Sequence, residues 1–417
     1  MPQQPRRRPS RALVACTSAA TLVLVLAACT SSSARPAATG SGASASTSAA
    51  GMPELSVSDP VPFDSLARFT VTHGTLESVT VKGHLFGTPL PGQVQSDGTT
   101  WVSQTLPIPS ARYDITAQVK GANGIVTTLS GRLVVATLAA ASTLGYDVTP
   151  FQGWTVGVNA PIVIRFHRAV QDRAAVERAL TVFTSTPLVG AWHWVNSDEV
   201  HFRPLTSWPA HSRVRVVVAL QAVRSGPSVW GATDTTVDFS TGDVHLTKVD
   251  GRAHTLTVLV NGRTIGVWPT SLGRPQFATR TGSYVVLAKQ PTLRMTSCNA
   301  SITCSPTNPN WYDLTVNWDV RLTYSGTFIH SAPWSVAAQG VDNVSHGCVN
   351  LSPAHAVAYF NLARYGDLVT VTGTSRGAGD LVRSGDPGMS DWNVPWTTYA
   401  AASALGGQTT TQLLPAG

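Results

Sequence analysis

Two short stretches hold residues that together can do nucleophilic chemistry. Ser345-His346-Gly347-Cys348-Val349-Asn350 sets a cysteine two places after a histidine, and Phe328-Ile329-His330-Ser331 carries a second histidine fourteen residues (331 to 344) before Ser345. A cysteine attacks as thiolate, and little of an ordinary thiol is ionised at neutral pH. It therefore needs an imidazole within reach and a positive local potential. Both histidines are candidates for the first requirement. Gly347 has no side chain, so its backbone is free to turn and present an N–H toward a developing oxyanion. Taken alone, His-Gly-Cys is a weak signal; with His330 ahead of it, the order and spacing become specific.

The elements that must position these groups are mainly β. Residues 316–324 and 284–287 read as strands, and 256–260 followed by Asn261-Gly262 predicts a hairpin whose second strand runs over 265–268. The spacing of His330 and Ser345 is enough to leave a strand and return beside it. After Cys348, Ser352 as N-cap and Pro353 at the first position predict a helix over 354–364, ahead of Gly366. The N-terminal end of that helix favours negative charge near the cysteine. This block spans 248–374. Two blocks precede it, 53–137 and 138–247, built from short alternating stretches such as 78–82, 113–117, 162–166 and 214–218, with Gly and Pro clusters between them. That pattern predicts two small β-sandwiches of immunoglobulin-like type. Trp101 is expected in the first core, and Asp172 is expected to cap a short helix over 172–180 in the second. The two modules read as a stalk. The tail, 375–417, has one compact cluster, Asp391-Trp392-Asn393-Val394-Pro395-Trp396.

The first 28 residues stand apart. Arg6, Arg7, Arg8 and Arg11 precede an apolar run from Ala12 to Ala28 that closes in Leu26-Ala27-Ala28-Cys29. This is an export signal, and the cysteine at its end resembles the lipobox of bacterial lipoproteins, which implies lipid attachment at Cys29 and a membrane anchor. The protein is then expected at the cell membrane, facing the periplasm or the extracellular wall. Residues 29–52 are rich in Ser, Ala, Thr and Gly, and read as a flexible tether. Removing the four arginines of the signal, which carries no acid, takes the formal charge from +7 to +3. No basic cluster of the kind nucleic acids require is left. Of five cysteines, Cys16 lies in the apolar signal, and Cys298 and Cys304 are close enough to pair in an oxidising compartment. Cys348 is left without a partner. His167, His193, His201 and His355 read as ordinary residues, and no spacing suggests a metal site.

The two motif stretches, together with His330-Ser331-Ala332-Pro333-Trp334-Ser335 and the Asp391–Trp396 cluster, resemble the L,D-transpeptidase (YkuD-domain) family in its actinobacterial and mycobacterial form. The resemblance implies two immunoglobulin-like modules before a YkuD-type β-sandwich catalytic domain with one helix after the nucleophile. It implies cleavage after the third residue of a peptidoglycan tetrapeptide, release of D-alanine, and a 3→3 cross-link made through a cysteine acyl-enzyme. Carried over, Cys348 is the nucleophile and His330 the base, with the Ser331 carbonyl orienting its ring. The N–H groups of Gly347 and Cys348 form the oxyanion hole, with Tyr312 a third donor from a lid that also contains Cys298 and Cys304. His346 and Asn350 hold the geometry, while Ser345 and Trp334 join Tyr312 and Asn350 around the substrate. No cofactor or metal is needed, carbapenems are expected to acylate Cys348, and the protein is expected to act as a monomer on donor and acceptor stems. Arg280 stands where the family commonly has proline. Two alternatives remain: an L,D-carboxypeptidase, in which water resolves the same intermediate, and an inactive wall-binding module.

Overall fold

A computed structural model describes residues 51–84 and 87–415. The signal, Cys29 and most of the tether lie outside the described residues, so the expectations placed on them rest on sequence alone.

Three apolar cores follow one another along the chain. The first is enclosed by a four-stranded sheet (Glu54–Val57, Arg68–Thr72, Thr100–Ser103, Gly92–Val94) and a three-stranded sheet (Gly74–Gly83, Arg112–Gly121, Val126–Val134). Burial alternates along Arg112–Gly121, as a strand with one face on a core requires. Trp101 is buried there and stacks on Phe69 at 4.9 Å.

The second core gathers Phe166, Trp192, Trp194, Phe202 and Trp208 between two five-stranded sheets. Asp172 accepts the Ala175 N–H at 2.8 Å and caps the helix Arg173–Arg178; Leu180 already begins the next strand. The C-terminal tail completes this module. Thr409–Thr410 pairs with Val189–Trp194 in one sheet, and Gln412–Leu413 pairs with Leu180–Thr184 in the other. The helix Trp396–Ala401 packs against Val189–Trp194, with the Tyr399 and His193 rings stacked 4.4 Å apart.

The third core lies between a five-stranded sheet, ordered Arg263–Pro269, Thr255–Val260, His245–Asp250, Leu368–Thr372, Gly282–Val285, and a four-stranded sheet, ordered Ala288–Thr296, Asp313–Arg321, Phe328–Ser331, Val349–Leu351. Asn261 and Gly262, both at positive φ, make the expected hairpin. The helix Pro353–Leu362 begins at Ser352, whose hydroxyl accepts the His355 N–H. The strand expected over 316–324 runs instead from Asp313 to Arg321. Thr323 ends it early, because its hydroxyl accepts the Thr327 N–H and closes a tight turn.

Candidate active site

Phe328–Ser331 and Val349–Leu351 lie side by side as a parallel pair, with His330 opposite Asn350. Cys348 is the residue immediately before the second of these strands. The pairing brings it into the same cavity as His330, a volume of about 480 Å³ also lined by Tyr312, Trp334 and Ser345. On the other side of His330, the strand Asp313–Arg321 carries a bulge. Its register shifts between Asn317 and Val320, so Trp318 and Asp319 together oppose His330.

His330 is buried, and its Nδ1 lies 2.9 Å from the Ser331 carbonyl. A carbonyl only accepts, so Nδ1 carries the proton and Nε2 keeps its lone pair. Burial holds this imidazole below the ordinary histidine range, against the favourable carbonyl bond, and the resting ring is neutral. Trp334 is exposed, with its ring centroid 6.1 Å from that of His330.

Cys348 is half-buried. Its surroundings push the thiol up to about 12, burial being the main cause and the Asp319 carboxylate adding to it. Cys348 therefore rests as a protonated thiol, and its Sγ–H points at the Gly326 carbonyl, 3.6 Å away. The helix Pro353–Leu362 starts only after the intervening strand, with its own cap in place.

His346 lies beside Cys348 but faces Arg274. Arg274 Nη2 donates to its Nε2 at 2.7 Å and also to the Asn310 side chain at 2.7 Å. Burial, and then the Arg274 charge, hold His346 below the ordinary range. Its ring packs between Phe277 and Tyr312, each 5.0 Å away between centroids. Ser345 braces the loop, since its hydroxyl donates to the Cys348 carbonyl at 2.7 Å and accepts the Gly347 N–H at 3.0 Å. Gly347, at φ +125°, sits where a side chain would be strained. Its N–H, expected to face an oxyanion, is directed at Ser345 in this structure. Asn350 is buried and donates to the Ser335 hydroxyl at 3.0 Å.

Tyr312 leads out of the long connection between Ala288–Thr296 and Asp313–Arg321, and burial pushes its phenol up to about 12. That connection contains a formed Cys298–Cys304 disulfide. The Ser297 hydroxyl accepts the Tyr312 N–H at 3.1 Å, tying the tyrosine to the residue before the bridge. Tyr312, His346 and Cys348 also line a second, more polar cavity of about 890 Å³. The thiol thus stands where two spaces meet.

Several participants have no sequence signal. Arg274 lies 72 residues from His346, and the Gly326 contribution is a main-chain carbonyl. His201, which reads as ordinary, is fully buried between two carboxylates. Its Nδ1 is 2.9 Å from Asp391 and its Nε2 is 2.7 Å from Glu199. Burial opposes its charge, but the two acids outweigh it and hold the ring at about 9. Arg165 binds Glu199 at 2.8 Å and lies 5.8 Å over the Tyr324 ring. Tyr324 belongs to the turn that offers the Gly326 carbonyl to Cys348. The second module therefore reaches the turn whose Gly326 carbonyl faces Cys348.

A β-sandwich domain with a cysteine and a buried neutral histidine in one cavity, preceded by two β-sandwich modules, defines a class of cysteine-dependent enzymes. Comparison with known proteins places the chain within it. Residues 58–224 match a bacterial Ig domain, and residues 245–371 match the L,D-transpeptidase catalytic domain. L,D-transpeptidase 2 of Mycobacterium tuberculosis is 34% identical over 345 residues, 82% of this chain and 82% of its own length. L,D-transpeptidase 1 of the same species is 39% identical over 227 residues, covering 54% of this chain and 84% of its own. A solved structure of the L,D-transpeptidase LdtMt1 in complex with imipenem covers 55% of this chain and 99% of its own, at 38% identity and a TM-score of 0.49. The chain belongs to the L,D-transpeptidase family.

Proposed function

We propose that the protein forms 3→3 cross-links between peptidoglycan stems through a thioester on Cys348. The observation that carries this reading is the position of Cys348 at the meeting of two cavities, one of them shared with His330. A transferase needs room for an acyl donor and an acceptor on either side of the reacting atom; a hydrolase needs only one such space.

The resting pair is thiol and neutral imidazole, so the proton must move as substrate binds. Rotation about the Cys348 side chain takes Sγ from the Gly326 carbonyl toward Nε2 of His330, which accepts the proton as sulfur attacks the carbonyl carbon after the third stem residue. The C–N bond breaks, the leaving D-alanine amine takes the proton from His330, and a thioester remains. The side-chain amine of a second stem then attacks, passing its proton through His330 back to sulfur as the C–S bond breaks. In this reading the Cys348 N–H meets the oxyanion, and Gly347 contributes once its N–H leaves Ser345. Tyr312 adds its hydroxyl from above. His346, held neutral by burial and by Arg274, and Asn350 keep the loop in place, while Trp334 and Ser345 wall the donor side.

We further propose that Cys29 carries a lipid, that the tether lets a monomeric enzyme reach the wall from the outer face of the membrane, and that carbapenems acylate Cys348, as the imipenem complex of a relative suggests.

Mass spectrometry of the protein incubated with a disaccharide-tetrapeptide, with Cys348→Ala beside it, tests the reading. A dimer lacking one D-alanine, absent in the variant, supports transpeptidation. Tripeptide monomer alone turns the assignment to a carboxypeptidase, and product formed by Cys348→Ala refutes the cysteine mechanism.

A further inference from the structure

The turn that faces the Cys348 thiol is held in place by groups the reaction does not consume. Residues Thr323 to Thr327 join the strands Asp313–Arg321 and Phe328–Ser331. At the base of the turn the Leu322 N–H donates to the Thr327 carbonyl at 2.9 Å, and the Thr323 hydroxyl accepts the Thr327 N–H at 2.8 Å. The N–H groups of Tyr324 and Ser325 point away from the turn and donate to one carboxylate oxygen of Asp386, at 2.9 and 3.4 Å. The other oxygen accepts the Gly388 N–H at 2.9 Å. Asp386 is buried and lies 62 residues beyond Tyr324.

Burial holds the Asp386 carboxyl above its ordinary range, while the three N–H groups and the Arg321 guanidinium act against that rise. The Tyr284 phenol also feels this carboxylate. Arg321 Nη1 reaches the Thr323 carbonyl at 3.3 Å, and the Arg165 guanidinium lies 5.8 Å from the Tyr324 ring on the outside. To the sulfur this scaffold presents two main-chain groups. The Gly326 carbonyl accepts the Sγ–H and favours the protonated thiol; the Phe328 N–H acts in the opposite sense, favouring the thiolate. Of the side-chain charges acting on the sulfur, Asp319 opposes ionisation and Arg321 favours it. His330, His346 and the Tyr312 phenol share its cavity.

We propose that Asp386 is a positioning residue for Cys348: by gripping the Tyr324 and Ser325 N–H groups it fixes the Gly326 carbonyl and the Phe328 N–H around the sulfur, and keeps the thiol dry until substrate draws it to His330. The inference rests on the reading of Cys348 as the reacting group. Without the carboxylate, two N–H groups lose their acceptor, and the turn is free to move into the polar cavity that Tyr324, Ser325, Gly326 and Thr327 line. Water then reaches the sulfur. Burial is the main cause of its raised proton affinity, so wetting releases thiolate at the same time as it loses the geometry from which attack begins.

Alkylation by iodoacetamide, followed on the Cys348 peptide by mass spectrometry from about pH 6 to about pH 9, reads the thiol without substrate. In Asp386→Ala the rate at about pH 8 should rise about three- to tenfold and the profile should move to lower pH, at a temperature where the melting transition shows the variant folded. D-alanine release from a disaccharide-tetrapeptide should fall about tenfold or more. Asp386→Asn keeps an oxygen for the Tyr324 and Ser325 N–H groups and should return most of both values. Thr323→Val removes the acceptor of the Thr327 N–H, opens the same turn, and should move the profile in the same direction. An unchanged profile in folded Asp386→Ala overturns the proposal; should that variant not fold, Thr323→Val decides alone. D-alanine release by the unaltered protein is the separate readout. A shifted profile without release leaves the positioning role standing and removes the transfer reading, and release with an unchanged profile does the reverse.

Discussion

Replacing Asp319 by asparagine should stabilise the protein in base and leave its behaviour in acid little changed. Asp319 is 1% exposed, and neither carboxylate oxygen has a hydrogen-bond partner. It lies in the bulge opposite His330, faced by Arg321 and by the Cys348 thiol. Burial raises its carboxyl from 3.8 to about 7, with Arg321 only partly opposing. The folded value is raised, so the sign is the reverse of the usual paired aspartate. Below about pH 4 both states hold the proton. Between there and about pH 7 the unfolded chain ionises while the folded protein does not, so stability falls as pH rises through that window. At about 1.4 kcal/mol per pKa unit the full loss is about 4 kcal/mol, and water entry or relaxation reduces it to about 2–4 kcal/mol. Asparagine keeps the shape and its own buried amide at a cost independent of pH. The measurement is the melting temperature of the catalytic-domain transition for both proteins from about pH 4 to about pH 9, where the difference between the two curves cancels the shared groups. The variant should gain between about pH 4 and about pH 7 and hold that gain at higher pH. Parallel curves would refute the reasoning, since they would mean that Asp319 is ionised with a hidden partner or titrates where it does in the unfolded chain. The same charge opposes the Cys348 thiolate, so iodoacetamide should also alkylate Cys348 several-fold faster in the variant at about pH 8.

Other expectations follow from single contacts. Ser345→Ala removes the hydroxyl that braces the Gly347 N–H and the Cys348 carbonyl; turnover should fall at least about tenfold while stability drops by about 1–2 kcal/mol, and unchanged turnover would show that the loop needs no such brace. Arg274→Ala should let the His346 pKa, now held down by burial and by Arg274, rise toward its ordinary value in an NMR titration; no movement would remove Arg274 from its assigned role. Cys298→Ser with Cys304→Ser should cost about 2 kcal/mol and raise KM more than it lowers kcat, because the bridge restrains the segment carrying Tyr312; equal kinetics would separate that segment from substrate entry. Ending the chain after Pro395 should lower the melting transition of the second module, since Glu177 loses the Ser403 and Ala404 donors and both sheets lose an edge strand. A transition at the same temperature would make the tail dispensable.

Much of the architecture is legible along the chain because it depends on neighbours in sequence. Alternation of apolar residues marks the sandwich strands, Asn261-Gly262 makes a hairpin, and Ser352-Pro353 starts a helix; each is a local preference of backbone and side chain. The order His330, Ser331, Ser345, His346, Gly347, Cys348 points to the site for the same reason, since two adjacent parallel strands need only a short excursion between them. The tail is a different case. Its terminal residues carry no strand pattern of their own, yet they add an edge to each sheet of a module some 220 residues earlier, with Thr411 bonded to Thr184 across a separation of 227.

What the sequence determined by itself is therefore the kind of fold and the candidate pair, His330 and Cys348, that the fold brings into one cavity. What tertiary structure decided is their state. Arg274 makes His346 an acceptor, burial keeps His330 neutral and the thiol protonated, and His201 is held charged by Glu199 and by Asp391, the latter 190 residues away. Proton affinities depend on dehydration and on charges a few ångströms off in space, and those distances exist only once strands far apart in the chain have been packed together.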